Sequence, residues 1–321
     1  MPRLTEFSQT YKPFAYPWAM EAAVNHELIH WHELEAELQE DVLQWNTGVL
    51  APHEVNQITQ ILRLFTQTDA QVGGNYCDLF IPHFRNNEVR CMLLAFAARE
   101  GIHQRAYALL NDTLGLPDEE YQAFLSYTQM ADKIEFMQDN DVSTPEGMAR
   151  ALAQSVCNEG MSLFSAFVML LNYQRFGKMM GMCKIVEWSV RDESQHVQGM
   201  SKLFRTYCEE NPQVLTDEFK RSVYEMYRRA VALEDRFIDL AFALGGSEGL
   251  TAEQMKQYIR YIADRRLIQL GFKPNFGIKV NPLPWVDELL AEGHTNFFEQ
   301  RVSEYSVAGM TGEWGWEDLA A

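Results

Sequence analysis

Apolar residues along this chain recur three and four positions apart, the period of one face of a helix, and no run of alternating β-branched residues stands out. Prolines at 52, 82, 117, 145, 212 and 274 punctuate the helical segments. Thr144-Pro145-Glu146 reads as a helix cap followed by proline at the first helical position. The stretch between Pro145 and Pro212 has no other proline, which predicts two long helices joined near Gly177, the second ending at Asn211-Pro212. Gly245-Gly246 separates a further pair, and Thr251-Ala-Glu-Gln254 has the form of a capping box. The pattern predicts an all-α fold. From about Gln300 it changes: glycine, acidic and aromatic residues mix without helical period, and this stretch is expected to be a mobile tail.

Two polar tetrapeptides follow strongly apolar stretches. Glu100-Gly101-Ile102-His103 comes after residues 93–98, and Glu193-Ser194-Gln195-His196 after residues 185–190. Residues three apart share a helix face, so each pair directs a carboxylate and an imidazole at one spot. A carboxylate buried in such surroundings is costly unless it is paired or holds a metal. One Glu-x-x-His is expected by chance in a chain with eight histidines. The acids, however, repeat as well. Asp69 precedes Glu100 by 31 residues and Glu159 precedes Glu193 by 34, both beside apolar sequence. Two helices giving one acid each and two giving Glu-x-x-His form the pattern of a dimetal carboxylate bundle.

Charge supports that reading. Asp69, Glu100, Glu159 and Glu193 carry four negative charges, which two divalent cations would neutralise, as a low-dielectric interior requires. Carboxylate and imidazole ligands suit iron or manganese, and the lack of a cysteine ligand disfavours structural zinc. Glycine follows two of these acids, at 101 and 160. Helix-interior glycine costs about 1 kcal/mol relative to alanine, and close helix packing at the metals would explain it.

A third match, Glu27-Leu-Ile-His30, lies inside His26-Glu27-Leu28-Ile29-His30, formally the H-E-x-x-H of zinc proteases. Its extended form is not met, since Glu33 and Ala36 occupy the later positions. The residues that follow, 31–40, read as a charged amphipathic helix or entry segment.

Composition narrows the function further. The chain has 321 residues, 47% of them hydrophobic, and a formal net charge of −18. Such acidity argues against a primary nucleic-acid binder. Five cysteines without a C-x-x-C spacing fit a reducing compartment. No apolar signal core opens the sequence, and no run approaches the ~20 residues of a membrane helix. A cytoplasmic protein is expected.

Tyr107 stands four residues after His103, one turn further along the same face. A core tyrosine is the plain reading; beside two metals the sharper one is a redox tyrosine, with Leu163 and Phe167 as candidates for a dry wall. These residues together resemble the small, radical-generating β subunit of class I ribonucleotide reductase. The likeness runs through Asp69, Glu100-Gly-Ile-His103-Gln-Arg-Ala-Tyr107, Glu159, Arg191-Asp192-Glu193-Ser-Gln-His196, Asn281-Pro-Leu-Pro-Trp285 and Tyr305.

The resemblance implies a homodimer of ferritin-like helical subunits with additional helices, residues 1–300, followed by a tail, 301–321, that docks on the large α subunit. It implies two metal ions per chain, iron first, with dimanganese or manganese–iron pairs accepting the same ligands. Oxygen or superoxide would be the oxidant and Tyr107 the stable radical, and an activating flavoprotein is a further partner the resemblance allows. Trp31 and Asp192 look like transfer partners next to His103, and Tyr305 like the relay residue of the tail. The tail departs from the family pattern in carrying Trp314 and Trp316 and ending Leu319-Ala-Ala. The competing reading is a dimetal oxygenase or oxidase acting directly on an organic substrate; Tyr107 together with Tyr305 and the tail favours the reductase.

Overall fold

The computed structural model describes residues 3–291, and no strand occurs among them. In chain order the helices are α1 (Pro17–Leu28), α2 (Gln39–Asn46), α3 (Pro52–Asn75), α4 (Ile81–His83), α5 (Asn87–Leu114), α6 (Glu120–Ala123), α7 (Thr128–Gln138), α8 (Pro145–Cys157), α9 (Phe164–Leu171), α10 (Met180–Glu210), α11 (Asp217–Ala241) and α12 (Ala252–Leu270). Helix α3 packs on α5, α8 on α10, and α5 on α10. These four form the central bundle of a ferritin-like fold. The others wrap it: α1 lies against α5, and α11 and α12 against each other and against α8.

Local chemistry explains the helix ends. The Asn86 side chain accepts the N–H groups of Glu88 and Val89 to start α5, and Gly115, at φ 74°, ends it in the left-handed conformation. Thr144 caps α8 through the Gly147 N–H, with Pro145 in the first turn. Thr251 and Gln254 form the expected capping box of α12. Helix α10 starts differently. Asp41, on α2, accepts the Gly181 N–H at 3.0 Å and the Met182 N–H at 2.6 Å, so a distant side chain serves as its cap.

Gly177 does join two long helical segments, at φ 66°. Two local expectations differ. Pro82 does not break its segment: α3 continues through a π-helical turn, Tyr76–Phe80, into α4, where Pro82 sits in the first turn. A proline ring collides with the carbonyl four residues back in a regular helix, and the widened turn relieves that collision. A second π-helical turn, Asn158–Ser162, interrupts the segment begun by α8 and carries Glu159. Residues 31–40 are not one amphipathic helix. They run extended, apart from a 3-10 turn at Glu33–Glu35 and the start of α2. The Ile29 carbonyl accepts from Arg99 at 3.3 Å and Arg191 at 2.8 Å, which diverts it from a helical ladder.

The chain divides into one compact unit ending at Pro282 and a second beginning at Leu283; in the second, residues 284–291 are helical. The expected boundary near residue 300, the tail and Tyr305 lie outside the described residues. No helix among the described residues is long and apolar enough to cross a membrane.

Candidate metal centre

Asp69 comes from α3, Glu100 and His103 from α5, Glu159 from the π turn after α8, and Glu193 and His196 from α10. The bundle brings all six together, and all are buried. They fall into two overlapping groups able to hold a cation: Asp69, Glu100 and His103; and Glu100, Glu159, Glu193 and His196. Glu100 belongs to both. Its two oxygens stand 3.5 Å from His103 Nδ1 and 3.1 Å from His196 Nδ1. Glu193 spans the same gap, with one oxygen 3.4 Å from each Nδ1. Two carboxylates therefore lie between two histidines, with Asp69 at one end and Glu159 at the other.

Asp69 Oδ2, both oxygens of Glu100 and of Glu193, and His103 Nδ1 are buried without a hydrogen bond. Leaving so many polar atoms unsatisfied in a protein interior costs about 1–3 kcal/mol each, and cations would satisfy them together. The donor set thus fits a pair of divalent ions. Without cations, protons bear the load. Burial pushes the Asp69 and Glu159 carboxyls up, Asp69 well above the carboxylate range. Burial also opposes charge on Glu100, but the imidazoles beside it hold it at about 2. Both His103 and His196, though disfavoured by burial, are raised well above their ordinary value by the carboxylates around them.

The far nitrogen of His103 stands 3.2 Å from Asp192 Oδ2. That oxygen also accepts the Trp31 indole N–H at 2.7 Å, and Asp192 Oδ1 accepts from Arg99 at 2.7 Å. Burial would raise the Asp192 carboxyl; His103 and Arg99 hold it well below the ordinary range. Trp31 is fully buried and stacks on the His103 ring, with centroids 5.9 Å apart. Tyr107 is also fully buried. Its hydroxyl donates to Ser189 Oγ at 3.0 Å, and its ring lies 4.5 Å from Phe65, which in turn lies 5.2 Å from Phe167. Burial, then the Asp69 charge, raises its pKa well above 10.

A model of the family "Ribonucleotide reductase, small chain" matches residues 8–282. The chain belongs to that family. It is 41% identical to the probable ribonucleoside-diphosphate reductase small subunit of Invertebrate iridescent virus 3, over 96% of this chain and 86% of that protein. It is 31% identical to the ribonucleoside-diphosphate reductase subunit beta of Chlamydia pneumoniae, over 92% of this chain and 90% of that protein. Among solved structures, the ribonucleotide reductase R2 subunit from Clostridium botulinum superposes with a TM-score of 0.83 at 22% identity, covering 90% of this chain and 94% of that one, which speaks for the fold. The chain is a class I ribonucleotide reductase small subunit, part of an oxidoreductase.

Several residues of this small subunit's site were not singled out from the sequence. Tyr76, in the first π turn, donates to Glu159 Oε2 at 2.7 Å. His26 Nε2 stands 3.3 Å from His196 Nε2. Ser189, Arg99 and Phe65 complete the surroundings. His26 lay within the formal protease motif, whose other members, Glu27 and His30, are exposed at or beyond the end of α1. The glycines divide: a Cβ at 160 would stand 2.5 Å from Arg266 Nε and 2.9 Å from Val197, whereas at 101 the nearest atom is 3.7 Å away. Close packing therefore accounts for Gly160 but not for Gly101.

Proposed function

We propose that Asp69, Glu100, His103, Glu159, Glu193 and His196 hold two metal ions and that Tyr107 stores the radical this subunit generates. The observation that carries the proposal is the sharing of Glu100 and Glu193 between two histidines, one turn from a buried tyrosine. Iron is the first choice of metal, with dimanganese or mixed manganese–iron as the alternatives the same ligands accept. When bound, the metal pair supplies one-electron oxidation driven by an oxygen species, dioxygen or superoxide.

The chain's residues do the rest. Phe65 and Phe167 exclude water and reductants from Tyr107, whose buried phenol stays neutral until it is oxidised. Asp192 orients the His103 imidazole, as carboxylates behind ligating histidines do. The same carboxylate fixes the Trp31 indole, so the two form a route from the ligand toward the outside. Beyond them we place Tyr305, in the tail 301–321, as the relay to the large α subunit, which reduces ribonucleotides. Diphosphates are the proposed substrates, after the names of the relatives. The working unit would be a cytoplasmic homodimer bound to the large subunit, with an activating flavoprotein as a further partner.

The test is anaerobic loading with ferrous iron, exposure to oxygen, and electron paramagnetic resonance. A long-lived tyrosyl signal is expected, lost in Tyr107→Phe while both metals remain. Its persistence in that variant would overturn the assignment. Removing residues 301–321 should abolish nucleotide reduction with the large subunit and leave the radical intact.

A further inference from the structure

A second phenol touches the same cluster. Tyr76 is fully buried, and its hydroxyl donates to Glu159 Oε2 at 2.7 Å. That oxygen lies 3.1 Å from His196 Nδ1, so one carboxylate separates the phenol from the proposed cation position. The other oxygen of Glu159 accepts from Ser155 Oγ. Phe80, Phe96 and His196 hold the Tyr76 ring edge-on at 6.0–6.1 Å. Two polar atoms and three rings thus fix the phenol against a ligand.

Proton bookkeeping separates the two tyrosines. A phenol that loses an electron becomes a strong acid, so a buried one is oxidised readily only when a base stands at hydrogen-bond distance. Glu159 is such a base. Tyr107 faces Ser189 Oγ instead, and Ser189 donates to the Ile185 carbonyl at 3.0 Å. A hydroxyl and an amide carbonyl are too weakly basic to keep a proton.

We infer that Tyr76 is a second oxidisable tyrosine of the centre, one that passes its proton to Glu159 as its electron leaves. The inference rests on the two-metal reading above. In the step, one electron goes from Tyr76 to the oxygen-activated metal pair, which is reduced by one equivalent. The phenolic O–H bond breaks and an O–H bond forms on Glu159 Oε2, leaving a neutral phenoxyl and a neutral carboxylic acid. Because the proton stays one hydrogen bond away, it returns when an electron does. The Tyr76 radical is therefore short-lived, while that of Tyr107 persists.

Four full-length proteins test this: the unaltered chain, Tyr107→Phe, Tyr76→Phe and the double variant. Each is loaded with ferrous iron, assayed for iron content, mixed with oxygenated buffer and freeze-quenched from milliseconds to seconds for paramagnetic resonance. Ring-deuterated tyrosine identifies tyrosyl signals by their narrowing. Tyr107→Phe should give a transient tyrosyl signal that is lost in the double variant, and Tyr76→Phe should keep its iron and the long-lived signal. No tyrosyl signal in Tyr107→Phe, or an equal one in the double variant, would overturn the inference while leaving the Tyr107 assignment standing. A long-lived signal that survives Tyr107→Phe but not Tyr76→Phe would do the reverse.

Discussion

His103 and His196 face the carboxylate cluster through the same nitrogen, but their far nitrogens meet different neighbours. Behind His103 stands Asp192, ion-paired to Arg99 and hydrogen-bonded to Trp31. Behind His196 stands His26, another imidazole, between the rings of His196 and Phe96. Burial, then the neighbouring His196, pushes the His26 pKa down to about 2, so it is neutral. A carboxylate behind a ligating imidazole makes it a stronger donor; a neutral imidazole does so less. Two cations with nearly matched ligands would therefore differ in electron richness. The charged end has the connection outward through Trp31, and the neutral end is closed by Tyr76 and Phe96.

The comparison breaks most completely at the shared ligand. Glu100→Ala removes a donor from both groups, and metal content should fall from two ions per chain toward none by elemental analysis. Two ions retained would refute the bridging geometry. Next in size is Asp192→Ala, which strands buried Arg99 without its carboxylate. Breaking such a pair costs about 3–5 kcal/mol, to be read from denaturant unfolding, and nucleotide reduction should fail even in molecules that keep their metals.

At the neutral end, His26→Ala should weaken metal binding by about 10–100-fold, as loss of a partner behind a ligand does, while His30→Ala should leave it unchanged. Equal effects from the two would return attention to the discounted protease motif. Acidity acts at both ends. The imidazoles of His103 and His196 are raised well above 6.5 without cations, so metals must displace protons. Affinity should fall as pH drops, and calorimetry in buffers of different ionisation enthalpy should register proton release. The smallest contrast lies in the glycines. Gly101→Ala should stabilise by up to about 1 kcal/mol, whereas Gly160→Ala should destabilise by forcing Arg266 and Val197 aside.

The six cluster residues and Tyr107 were legible because their spacing is a property of one helix at a time, set in otherwise apolar sequence. Trp31 and Asp192 are 161 residues apart, and no periodicity links them; only the family resemblance joined them. Tyr76 and Glu159 meet because each sits in a π-helical turn, and spacing rules built on 3.6 residues per turn do not foresee one. Asp41 capping α10 from another helix is likewise a tertiary fact. The segment 31–40 went the other way: its charges suggested a helix, and two buried arginines taking the Ile29 carbonyl prevented it.

The π turn at Asn158–Ser162 makes the metal centre sensitive to chain length as well as to residue identity. Each such turn accommodates one residue more than a regular helix. Deleting one residue there would restore an unbroken helix and rotate the following side chains by about 100° relative to those before it. Glu159 and the wall formed by Leu163 and Phe167 would then no longer face the same interior, with every ligand still present in the sequence.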